Sequence, residues 1–139
     1  MLKNTAKAKK LFEEEKLILV LCKGEKIIKS SEAGITALFK LIDEKGEFKG
    51  YCCAYDIIGK SAAILFAKAG VREIYCNVLS SSGKTILAKN GISVYYHTLT
   101  DIVQIGSDSE ICPIETAVAN ITNPELGFSA IKKAVEAFT

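Results

Sequence analysis

Residues 51–70 read Tyr51-Cys-Cys-Ala-Tyr55-Asp-Ile-Ile-Gly-Lys60-Ser-Ala-Ala-Ile-Leu65-Phe-Ala-Lys-Ala-Gly70. Residues 73–92 repeat the plan as Glu73-Ile-Tyr75-Cys-Asn-Val-Leu-Ser80-Ser-Ser-Gly-Lys-Thr85-Ile-Leu-Ala-Lys-Asn90-Gly-Ile92. Each begins with a short apolar run, predicted as strands Tyr51–Tyr55 and Glu73–Leu79. Each then passes through a Gly-Lys-hydroxyl tripeptide, Gly59-Lys60-Ser61 or Gly83-Lys84-Thr85, into a helix. The helices are expected over Lys60–Ala69 and Lys84–Lys89, closed by Gly70 and Gly91, where a helix end needs a left-handed residue. A third strand, Ile92–Tyr96, follows at once. Strands and helices alternating through such short joints imply parallel pairing by right-handed crossovers. The helix Ser61–Ala67 is apolar nearly all round, which puts it deepest, between sheet and other helices.

Working outward, Lys16–Cys22 reads as a strand, Lys23-Gly24-Glu25 as a turn and Lys26–Lys29 as the returning arm of a hairpin. Ser30, Ser31 and Glu32 form a loop. Ile35, Leu38, Phe39 and Ile42 fall at helical spacing and Gly46 stops that helix. A polar helix over residues 1–15, with a thin apolar edge at Ala8, Leu11 and Phe12, is expected to be peripheral. Residues 99–111 read as loop or short turns. Cys112-Pro113-Ile114-Glu115 and Asn123-Pro124-Glu125 open two final helices, the last with Phe128, Ile131, Val135 and Phe138 on its inner face. The prediction is an α/β fold of three layers, with a five-stranded mixed sheet between helices, in one domain spanning 1–139.

The composition fits this. The 139 residues are 49% hydrophobic and 24% charged, with a formal net charge of +2, ordinary for a globular domain and without a nucleic-acid footprint. No run approaches the roughly 18 apolar residues of a membrane span. Cysteines at 22, 52, 53, 76 and 112 are odd in number, and most lie in apolar runs, the usage of buried thiols in a reducing cytosol. A cytoplasmic location is expected, with no nucleic-acid or membrane partner. Thin helical cover near residues 84–89 makes a homo-oligomer the expected state.

Strand-to-helix turns at the carboxyl edge of a parallel sheet are where such folds bind ligands, and free N–H groups at helix starts attract anions. Gly-Lys-Ser does not make a triphosphate loop here. That loop needs a first glycine five residues earlier, where the chain has Ala54 and Val78, and Ile57-Ile58 does not form a phosphate nest. The ligand-binding candidates are Asp56, Gly59, Lys60, Ser61, Ser80, Ser81 and Ser82. Asp56 could pair Lys60, hold a ribose hydroxyl or serve the helix dipole. One serine, Ser81 or Ser82, suffices as a helix cap, leaving the others for a polar pocket wall. Candidate catalytic groups are Lys60, Asp56, Cys112 and Glu115. A thiol at a helix start is activated, whereas Pro113 and Glu115 also suit a capped helix opening. His97 stands alone, and Cys52 and Cys53 point to opposite faces, so neither makes a metal site.

The pattern Ser30-Ser31-Glu32-x-Gly34, Lys49-Gly50, Asp56-x-x-Gly59-Lys60-x-Ala62-Ala63, Gly70-Val71-x-Glu73-x-Tyr75, Leu79-Ser80 and Cys112-Pro113-x-Glu115 resembles a small uncharacterised family, a domain of unknown function with a cytidine deaminase-like fold. The resemblance covers roughly residues 15–127. It implies a deaminase-type cleft whose two metal turns are the two Gly-Lys turns. True deaminases carry His-x-Glu and Pro-Cys-x-x-Cys there, and zinc activates the attacking water. This chain has neither motif, so no zinc and no other cofactor are expected. Three functions stay open: binding of a nucleotide-like or phosphorylated small molecule, ADP-ribose-like ligands included; metal-free group transfer from a nucleotide by Lys60 or Cys112; or a regulatory protein whose vestigial cleft is filled by its own side chains.

Overall fold

A computed structural model describes residues 1–101 and 113–137. The chain opens with α1 (Lys3–Glu14), then β1 (Leu19–Lys23) and β2 (Lys26–Ser30), joined through Gly24, whose φ of +63° suits a residue without a side chain. Next come α2 (Ile35–Lys45), β3 (Cys52–Ile58), α3 (Lys60–Ala69), β4 (Glu73–Ser80), α4 (Ser81–Lys89) and β5 (Ser93–Thr100). The short α5 (Pro113–Ala117) and α6 (Pro124–Ala137) finish the described chain.

The strands form one five-stranded sheet in the order β2-β1-β3-β4-β5. β1 runs antiparallel to both β2 and β3, whereas β3, β4 and β5 are parallel. The sheet is therefore mixed, and helices flank both faces, as the alternating grammar predicts. Period-two alternation sorts the strand residues. Val20, Cys22, Ala54 and Tyr75 face α1 and pack with its Ala8 and Phe12. Leu19, Leu21, Cys53, Tyr55, Ile74 and Cys76 face the other way, into the larger core. There α3 is buried from Ser61 through Phe66, touching α2, α4 and α6.

Two contacts set the helix spacing in that core. The Tyr55 and Phe66 rings meet edge-on at 5.3 Å between centroids. Gly127 lets α6 approach α3 so closely that a Cβ on it would lie 2.7 Å from Ile64 Cγ2.

The structure corrects several boundaries. β3 continues three residues past Tyr55, to Ile58, because Ile57 and Ile58 stay in register with Val78 and Leu79. β5 begins at Ser93 and extends to Thr100 along the full length of β4, taking in Leu99 and Thr100, which the sequence reading leaves in a loop. α4 begins at Ser81 rather than Lys84, because the serines form its first turn. Residues 102–112, with Cys112, and Phe138 lie outside the described residues. No described helix is long and apolar enough to cross a membrane.

Candidate functional site at the starts of α3 and α4

β3 and β4 are parallel neighbours, so the helices that follow them begin side by side at the sheet's carboxyl edge. The two glycines of the Gly-Lys turns are there for proximity. Gly59 has ordinary extended backbone, φ −94° and ψ −170°, so no left-handed geometry demands glycine. A Cβ at Gly83 would lie 3.1 Å from the Gly59 carbonyl oxygen and 3.2 Å from that of Ile58. A Cβ at Gly59 would lie 2.7 Å from Glu115 Oε1. The first turn of α4 thus abuts the β3–α3 turn, and a carboxylate abuts that turn from the other side.

That carboxylate is the centre of the arrangement. Gly59, the N-cap of α3, has no side chain to cap with. Glu115, from α5, supplies the acceptor instead. Its Oε1 takes the Ser61 backbone N–H at 3.0 Å and the Ser61 hydroxyl through a short hydrogen bond. One orphan donor of the first turn is satisfied, and negative charge sits at the positive end of the helix. Cys112, the partner in the capping-box role expected for Glu115 within its own helix, lies outside the described residues; what the structure shows is that Glu115 caps a helix 54 residues away in sequence.

Lys60 points to the same segment. Its Nζ donates to the Ala119 carbonyl at 2.9 Å. α5 and the turn after it are therefore tied at two places to the first turn of α3. The reading that Asp56 pairs Lys60 is corrected too. Asp56 Oδ1 accepts from Asn77 Nδ2 at 2.9 Å, and Asn77 Oδ1 accepts from the Tyr75 hydroxyl at 3.4 Å. The charge of Asp56 also acts through the sheet: burial first, and then Asp56, push the Cys76 thiol up to about 12. Cys53, fully buried, is raised as well by burial and by its thiol neighbours Cys76 and Cys52. Both are protonated packing groups and not nucleophiles.

At the second turn, Ser80 is the cap, rather than Ser81 or Ser82: its Oγ accepts from Gly83 N at 2.9 Å. Ser82 Oγ lies 3.2 Å from Ser80 Oγ, and Ser81 Oγ donates to Asp101 Oδ1 at 3.2 Å. Lys84 reaches Tyr96, 3.2 Å from its hydroxyl. The structure thus joins Gly59, Lys60, Ser61 and Glu115 in one cluster and the three serines in an adjacent one, with Asp56 in a separate pair. Sequence reasoning missed Asn77 and Tyr96. Asn77 had a signal, an amide side chain in an otherwise apolar strand; Tyr96 had none. His97 is exposed, 3.0 Å from Thr98 Oγ1. Among the described residues no three His, Cys, Asp or Glu side chains gather as a metal set.

Residues 7–135 match the family described as a domain of unknown function, DUF1893, and the chain belongs to that family. Its fold is shared by the crystal structure of a DUF1893 family protein, TM1506, from Thermotoga maritima. The two align with a TM-score of 0.85 at 25% identity, over 96% of this chain and 92% of that one. No curated protein matches the chain.

Proposed function

We propose that this chain is a binding module for a nucleotide-like or phosphorylated small molecule, ADP-ribose-like ligands included, at the paired starts of α3 and α4. One observation carries the reading: the first turn of α3 already holds an anionic oxygen, that of Glu115, on the Ser61 N–H and hydroxyl. Donors that satisfy a carboxylate have the geometry and polarity to satisfy a phosphate oxygen. The order of elements, a hairpin followed by alternating helices and strands, supports a deaminase-like cleft at this edge. Group transfer by Lys60 is the weaker reading, since its ammonium is engaged by the Ala119 carbonyl and no base lies beside it in the described hydrogen bonds.

The same observation favours one alternative, that Glu115 is the permanent occupant and the cleft a structural relic. Thermal denaturation of the wild type and of Glu115→Gln with inorganic phosphate, AMP and ADP-ribose separates the two. A bound ligand raises apparent stability by mass action, about 2.7 kcal/mol at a hundredfold excess over Kd. On the binding reading, Glu115→Gln responds to phosphate compounds at lower concentration than the wild type, because a competing charge is gone. If neither protein responds to any of the three, the cleft is self-filled and the binding reading falls.

A further inference from the structure

A second place in the fold carries its own chemistry, and it shares no residue with the α3–α4 edge. Between β1, β2 and α2 lies a cavity of about 330 Å³, within the roughly 300–1,000 Å³ range of small-molecule sites. Its buried members are Leu19, Leu38 and Tyr55, 3%, 2% and 5% exposed. Ile28 and Leu41 extend the apolar lining.

Tyr55 is the informative residue. Among the described residues its hydroxyl has no hydrogen-bond partner, yet it is not sealed away as the unpartnered Thr5 Oγ1 is. Tyr55 lines the cavity. A phenol this deeply buried normally finds a partner. Burial, with Cys53 and Asp56 beside it, raises its pKa, so the group is a neutral O–H donor across the physiological range. No charged side chain shares the buried wall. The rim mixes signs: Lys29 is held by Glu15 at 2.9 Å, and Lys40 and Glu44 stand one helical turn apart on α2 beside Glu32. Such a rim offers no net attraction to an ion and tolerates a polar substituent.

We infer that this cavity is a binding site for a small uncharged ring compound, inserted apolar body first among Leu19, Leu38 and Leu41, with a hydrogen-bonding oxygen placed on the Tyr55 hydroxyl. The ligand class is phenolic or carbonyl-bearing rings of one-ring size, with polar substituents directed to the Lys40–Glu44 rim.

The test is an amide-resolved NMR titration of the whole chain with p-cresol and with toluene, two probes of like shape that differ in the oxygen. p-Cresol is expected to shift the amides of Leu19, Ser30, Leu38 and Tyr55 and to bind about two- to tenfold more tightly than toluene, the worth of one neutral hydrogen bond. Tyr55→Phe is expected to erase that preference while leaving toluene binding in place. Ala37→Trp, which fills the cavity from its α2 wall, is expected to block both probes and keeps the test decisive if the Phe variant misfolds. The inference is overturned if p-cresol shifts only amides elsewhere or none, if toluene binds as well as p-cresol, or if either variant leaves p-cresol binding unchanged.

Discussion

Glu115 caps a helix to which it does not belong: its carboxylate accepts both the backbone N–H and the hydroxyl of Ser61, at the start of α3. Helix caps are usually local, supplied by the residue just before the helix. Here a glycine occupies that place, and the carboxylate arrives from a five-residue helix late in the chain. Removing it by Glu115→Ala should cost about 0.5–2 kcal/mol, the range of lost caps, as measured by urea denaturation. A loss below a few tenths would mean that water serves Ser61 equally well.

Gly59→Ala should act through the same contact. The new Cβ would sit 2.7 Å from Glu115 Oε1, and the carboxylate must leave. The double variant Gly59→Ala/Glu115→Ala is therefore expected to be clearly less destabilised than the sum of the two singles, the mark of a shared interaction. Simple additivity would show that Gly59 matters for another reason.

Gly127→Ala tests the packing of α6 on α3. Its Cβ would meet Ile64 Cγ2 at 2.7 Å inside a filled core. Overpacking of this kind costs about 1–3 kcal/mol. Combining it with Ile64→Ala should recover part of the loss relative to Ile64→Ala alone. No recovery would place the strain elsewhere.

The alkaline limb of stability should belong in part to Cys76. Its thiol titrates near 12 in the folded protein against an ordinary value of 9.0, because burial and then Asp56 disfavour the thiolate. Between those values the unfolded chain has lost a proton that the folded chain keeps, so unfolding becomes easier as pH rises. Stability is expected to be fully present below pH 9, to fall from there toward 12, and to fall less steeply in Cys76→Ala. An unchanged slope in that variant would assign the loss to other groups.

The fold was largely legible because its signals are local. Apolar periodicity located α2 and α3, and the glycines at 46 and 70 marked their ends. The errors fell where local pattern and partner disagree. Ile57 looks like a turn residue after Asp56, but the register with β4 holds it in the strand. Leu99 and Thr100 join β5 because β4 is there to pair with them. At the edge, the helix-start residues were visible in the sequence but not their partners. Asp56 found Asn77 instead of Lys60, and Lys60 found a backbone carbonyl, which no side-chain pattern announces. The cavity at Tyr55 left no trace, since a buried tyrosine in a strand reads as core whether or not its hydroxyl is satisfied.

Gly83 stands against the carbonyl oxygens of Ile58 and Gly59, where a Cβ would be crowded at 3.1–3.2 Å, and Gly59 against the Glu115 carboxylate, where a Cβ at 2.7 Å has no room. The distance between the two helix starts is thus a dimension set by missing atoms. It works as a gauge block with two faces: a methyl group at Gly83 presses on the carbonyl oxygens of the neighbouring turn, and one at Gly59 presses on the Glu115 carboxylate.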